Sequence, residues 1–85
     1  MKLEKIKNLV DQEMQTDIKT NNRKRELVYA RAVYYKLARQ HTIQSLESIA
    51  SVLDRNHATA LHGIKIFNDW LYKREPKYRE VYLKI

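Results

Sequence analysis

Eighty-five residues make one small domain, which buries only about 60 to 65 per cent of the surface its unfolded chain exposes. The absence of Cys excludes a disulfide framework or a cysteine zinc site, so helical packing of a 44% hydrophobic chain with six Tyr and one Trp must carry the fold. The net charge is +7; no run of about 18 apolar residues occurs and the N-terminus MKLEKIKNLVDQE is too charged for a signal-peptide core, which points to a soluble, cytoplasmic protein with no membrane partner.

One Gly and one Pro leave almost no punctuation for strands or hairpins, so helix is expected throughout. Leu3, Ile6, Leu9, Val10 and Met14 recur at spacings of three and four, giving an amphipathic helix of about fifteen residues within an accessory segment, 1–20. That helix should fray across 16–22, where Asp, Thr and paired Asn favour turns and caps. Residues 1–20 carry four Lys and four acids and sum to zero. A neutral stripe of this kind serves a core rather than a nucleic acid. It could also form a dimer seam, although a monomer is favoured.

The second helix begins within 23–27 and ends near His41, burying Leu27, Ala30, Val33 or Tyr34, Leu37 and Ala38. Residues 21–85 supply the whole +7, and 23–39 alone hold Arg23, Lys24, Arg25, Arg31, Lys36 and Arg39 against Glu26. Such a field attracts polyanions. Arg23, Lys24 and Arg25 are therefore candidates for phosphate or minor-groove contact. Arg31 and Arg39 are candidates for phosphate, unless they pair with Glu26 or Glu47. Tyr34 and Tyr35 could stack on bases, but their helical spacing favours packing.

Ser45 is placed to cap a short third helix that buries Leu46, Ile49 and Leu53, with Ala50 at a close crossing. Asp54 to Asn56 then turn the chain, with Asp54 or Asn56 capping a fourth helix. That helix should bury Leu61, Ile64, Phe67 or Asn68, and Leu71, with Trp70 at its edge. Pro76 starts a last short helix that could bury Val81, Tyr82 and Ile85. Lys73, Arg74, Lys77 and Arg79 form a solvated end or grip flanking phosphate. No repeat or second domain is visible, so 1–85 is one domain with 45–72 as a helix, tight turn and helix.

In a helix-turn-helix, the first residues of the second helix reach base edges in the major groove. Arg55, Asn56, His57 and Thr59 gather at that start, with Ala58 among them. Arg pairs with guanine, Asn pairs with adenine, and a Thr methyl packs against thymine. A metal site is not expected, because His57 and His62 lie five apart on different faces and His41 is isolated. Nor is catalysis, since the ten acids are scattered and no nucleophile has a recognisable setting.

Residues 23–67 resemble the C-terminal DNA-binding domain of the bacterial replication initiator DnaA. The family signature runs approximately G-R-D-H-T-T-V-L-H-A, and this chain has D-R-N-H-A-T-A-L-H-G at 54–63. An upstream pattern, R-x-x-x-x-x-L-A-x-x-x-T-x-x-S-L-x-x-I-G, meets Arg31, Leu37-Ala38, Thr42, Ser45-Leu46 and Ile49-Ala50 here. The likeness covers roughly half the chain.

The resemblance implies an all-α domain of about five helices, of the TrpR/DnaA C-terminal kind, that reads a short asymmetric duplex site. It implies base contact by Arg55, Asn56 and His57 and phosphate contact by Thr59. It also implies minor-groove contact by a basic loop, here Arg23 to Arg25, and phosphate binding by backbone amides at Ser45 and Leu46. Three residues depart from the pattern: Asn56 replaces Asp, Ala58 replaces Thr, and Tyr29 stands where the family places its minor-groove Arg. A different site or a weaker complex is the consequence.

A single Gly cannot build a nucleotide-binding phosphate loop, so no ATPase activity and no cofactor are expected. The sequence therefore reads as a stand-alone, sequence-preferring duplex DNA-binding protein. It would act in replication initiation or transcription control, and a phage or mobile element is its suggested source. The rival reading is a protein-interaction module that engages the host replication initiator or its regulators, with DNA binding secondary. RNA is a weaker third option, because the A-form major groove is too deep and narrow for side-chain readout.

Overall fold

A computed structural model describes residues 2–85. The chain is all-α, in the order α1 (Leu3–Met14), α2 (Arg25–His41), α3 (Leu46–Ser51), α4 (His57–Ile66), a π-helical turn (Phe67–Leu71), α5 (Tyr72–Arg74) and α6 (Pro76–Lys84). Among the described residues, no helix is long and apolar enough to cross a membrane.

The spine is α2, which contacts α1, α3, α4, the π turn and α6. A helix that is enclosed on most sides must be apolar on most sides. Accordingly Ala30, Ala32, Val33, Tyr34, Tyr35, Leu37 and Ala38 are all buried. The stripe expected from periodicity is present, and Ala32 and Tyr35 extend it towards a second neighbour, α4. Tyr34 anchors α3, donating its hydroxyl to the Ile49 carbonyl at 2.8 Å.

Helix α1 packs Ile6 and Val10 into the core, with Leu3 and Met14 against its margin. It stops where Gln15 takes the left-handed conformation, φ 55°. Fraying was the expectation for 16–22, and here the structure differs. Ile18 is fully buried, and its backbone N–H donates to Asp11 Oδ1 at 2.9 Å. Lys7 joins Asp11 and Asp17 across the turn, at 2.5 and 2.9 Å. Burial alone would lower the Lys7 pKa, but these two carboxylates outweigh it and raise the pKa.

Ser45 caps α3, its hydroxyl oxygen accepting from Ser48 N–H at 3.1 Å. Ile49, Ala50 and Leu53 are buried, while Leu46 is half-buried. The chain then turns through Asp54 at φ 56°, and Asn56 caps α4.

The buried face of α4 differs from the expected one. Leu61 is 56% exposed, and the residues turned inward are Ala60 and Gly63. The cause is proximity: a Cβ added to Gly63 would lie 3.5 Å from the Ala32 Cα in the α2 backbone and closer still to Tyr35. Helices that approach so closely select small residues at the crossing, and Leu61, one position on, is carried round towards solvent.

Beyond Ile66 the helical path continues through the π turn. Phe67 and Leu71 are buried and Asn68 is exposed, so Phe67 is the core residue of that pair. Phe67 packs against Tyr72 and Tyr82, with ring centroids 5.8 and 4.9 Å away. Pro76 occupies the first turn of α6. Val81 and the unanticipated Tyr78 are buried there, with Tyr82 and Ile85 at the margin.

Candidate nucleic-acid interface

The first residues of α4 face solvent: Asn56, His57, Ala58 and Thr59 are all exposed. Asn56 fixes the start of the helix. Its Oδ1 accepts from the Thr59 backbone N–H at 2.9 Å and from the Thr59 hydroxyl at 3.1 Å. The side-chain oxygen is thereby used, leaving the amide N–H groups to donate outward. Two-point reading of adenine needs both the oxygen and the nitrogen, so this rotamer offers a donor to a purine N7 or a carbonyl oxygen instead. Thr59 spends its hydroxyl on the cap as well.

Arg55 lies just before this helix, but its guanidinium does not point forward. Nη1 donates to the Leu53 carbonyl at 2.6 Å and Nη2 to the Thr20 carbonyl at 2.9 Å. The side chain thus bridges the turn after α3 and the loop before α2. In this conformation each terminal nitrogen gives one N–H to a loop carbonyl, and the position expected to read a base holds a loop.

Arg31 also departs from expectation. It is 6% exposed and gathers three loop carbonyls: Nε to Ile18 at 2.7 Å, and Nη2 to Thr20 at 2.5 Å and Asn22 at 2.8 Å. Burial and the neighbouring Arg55 charge lower its pKa from the usual guanidinium value. A phosphate ligand would need these donors at the surface. Here they are consumed inside, because a loop packed against the core must satisfy its backbone carbonyls. Neither Arg31 nor Arg39 forms an ion pair with Glu26 or Glu47; the ion pairs among the described residues lie elsewhere.

Arg23, Lys24 and Arg25 follow directly on this loop and are exposed. Asn22 Oδ1 accepts from the Lys24 backbone N–H at 2.9 Å, which fixes the chain entering α2. A cleft of about 340 Å³ opens here, lined by Asn21, Arg23, Arg31, Asp54 and Arg55. Arg39 and Ser45 are exposed further along, on the last turn of α2 and ahead of α3.

Tyr29 does not take an outward pose equivalent to an Arg. It is half-buried, with its ring edge-to-face against Trp70 at 5.1 Å and Tyr78 at 5.4 Å. Tyr34 and Tyr35 are both core residues, 0% and 2% exposed. Among the described residues, no group of three or more His, Cys, Asp or Glu side chains could hold a metal.

Sequence reasoning missed Thr20, whose carbonyl is shared by two arginines. Backbone acceptors leave no compositional trace, although the fixed spacing of Arg31 from the motif marked that residue as important.

The family described as bacterial dnaA protein helix-turn-helix matches residues 3–66. That span takes in α1 and ends with α4. The chain is 39% identical over 64 residues to the chromosomal replication initiator protein DnaA of Oleidesulfovibrio alaskensis, covering 75% of this chain and 14% of that protein. It is 45% identical over 49 residues to the same protein of Porphyromonas gingivalis, covering 56% of this chain and 10% of the relative. This chain therefore corresponds to a small part of each relative. No solved structure matches it.

Proposed function

The chain belongs to the bacterial DnaA helix-turn-helix family, and from that premise we propose that it binds duplex DNA with a sequence preference, through the N-terminus of α4. The observation that carries this reading is a capped, solvent-facing helix start beside an exposed basic triplet, within a net charge of +7. His57, Ala58 and the free Asn56 amide are the groups at base-edge height. Arg23, Lys24 and Arg25 supply phosphate or minor-groove contact, with Arg39, Ser45 and Thr59 beside the backbone path. The protein acts in replication initiation or transcription control by occupying sites.

Selection from a random duplex library tests this reading. Affinity is then measured at two salt concentrations on the winning duplex and on scrambled DNA. A motif bound at least about a thousandfold more tightly than scrambled DNA establishes a specific reader. Recovery of no motif, with binding abolished by salt, would sink the proposal.

A further inference from the structure

Resting on the DNA-binding reading above, we propose that Arg55 is a positioning residue rather than a base reader: with Arg31 it clamps the loop of residues 17–24 to the turn before α4, so that the basic triplet and the recognition helix meet a duplex as one rigid body.

The geometry of the two guanidinium groups carries this inference. Both donate to the Thr20 carbonyl, at 2.5 Å from Arg31 and 2.9 Å from Arg55. Arg55 reaches Thr20 across 35 positions in sequence while holding Leu53 with its other terminal nitrogen. Every acceptor on either arginine is a neutral backbone carbonyl. Like charges are thus held together by the loop they jointly grip.

The rest of the loop is tied at its ends. Ile18 is plugged into the core, its N–H held by Asp11, and Asn22 gives its carbonyl to Arg31. Lys19 pairs with Asp54 at 3.6 Å, a second link between the loop and the turn. Arg23, Lys24 and Arg25 emerge directly from the last tied residue.

The consequence is a fixed offset between two reading elements. A loop already ordered in the free protein does not lose conformational freedom on binding, so its cationic groups contribute more fully to affinity. A loop released from the turn would present the same charges on a wandering base. Arg25 then depends on Arg55 without touching it.

The experiment is a double-mutant cycle on the full chain, using the duplex recovered by selection. Arg55→Ala, Arg25→Ala and the double variant are compared with wild type, and selection is repeated with Arg55→Ala. We expect the same motif to be recovered, with affinity lower by about tenfold. In the Arg55→Ala background, Arg25→Ala should cost about twofold rather than the roughly tenfold it costs in wild type. Arg55→Lys should behave like Arg55→Ala, because one ammonium cannot span both carbonyls. Amide hydrogen exchange at Ile18, Lys19, Thr20 and Lys24, the loop N–H groups that have acceptors, should be slow in the free wild type and at least about tenfold faster in either variant.

A change of preferred base at one position in the Arg55→Ala selection would make Arg55 a reader and overturn the proposal. Independent, multiplying losses in the cycle would do the same. If both variants fail to fold, the wild-type exchange decides: a loop protected only after the duplex is added refutes a preformed clamp, and one protected beforehand supports it. Failure of wild type to bind any duplex would refute the DNA-binding reading, while the exchange measurement would still report on the clamp.

Discussion

Gly63 on α4 and Tyr35 on α2 are in such close contact that a Cβ on the glycine would lie 2.5 Å from Tyr35 Cδ2. The glycine carries an ordinary helical backbone, so space rather than conformation requires it here. Gly63→Ala should gain about 1 kcal/mol of helix propensity and lose about 1 to 3 kcal/mol to overpacking. Urea denaturation should show a net loss of stability. A rise would mean that the Tyr35 ring moves aside at little cost.

The two adjacent core tyrosines differ in one respect. Tyr34 donates its hydroxyl to the Ile49 carbonyl, whereas the buried Tyr35 hydroxyl has no partner within the protein. Tyr34→Phe should therefore destabilise by about 1 to 2 kcal/mol. Tyr35→Phe should be neutral or stabilising, since it removes a desolvated polar group that gains nothing. Equal losses for the two in the same denaturation assay would contradict this assignment.

Alkaline pH should weaken the fold through the same pair. Burial pushes both hydroxyls above the ordinary phenol pKa; for Tyr35 the neighbouring Arg55 and Arg31 charges oppose that rise without cancelling it. The folded pKa is raised above the unfolded value, so the stabilisation is fully present below about pH 10 and is lost as pH rises further. Each group contributes a slope of up to about 1.4 kcal/mol per pH unit in that window. Denaturation midpoints from pH 8 to 11 should be flat at first and then fall, and the Tyr35→Phe variant should show a shallower fall. A flat profile to pH 11 would mean that these hydroxyls ionise as easily in the folded chain as in the unfolded one.

Asn56 combines two functions that one substitution can separate. Its Oδ1 caps α4 while its amide faces outward. Asn56→Asp retains a capping oxygen, so stability should stay within about 0.5 kcal/mol, whereas Asn56→Ala should lose about 1 kcal/mol. Both remove the outward donor, so both should alter the duplex preference found by selection. An unchanged motif for Asn56→Asp would show that the amide reads nothing.

Much of the helical plan was legible because it depends on local chemistry. Ser45 reads as a cap and acts as one, Asn56 is the cap of the two candidates offered for α4, and Pro76 starts α6. The spacing of Leu27, Ala30, Val33 and Leu37 marked the core face of α2. The basic triplet and the start of α4 are exposed, as contact with a duplex requires. Leu61 was misread because periodicity ranks a large apolar residue above Ala60 and Gly63, whereas a close crossing selects by size. Tyr78 was missed because the C-terminal pattern gave no sign of the ring of Tyr29 waiting across from it.

What the sequence by itself determined is everything that repeats at short range: helix, cap, turn, charge and the motif that places the chain in its family. What only the tertiary structure decided is the fate of the two arginines. Arg31 and Arg55 carry the charge of phosphate and base ligands, and neither that charge nor their place in the motif tells what they hold. Their roles depend on where the carbonyls of Ile18, Thr20, Asn22 and Leu53 come to rest. Backbone acceptors are the same in every sequence, so only folding reveals which donors they claim.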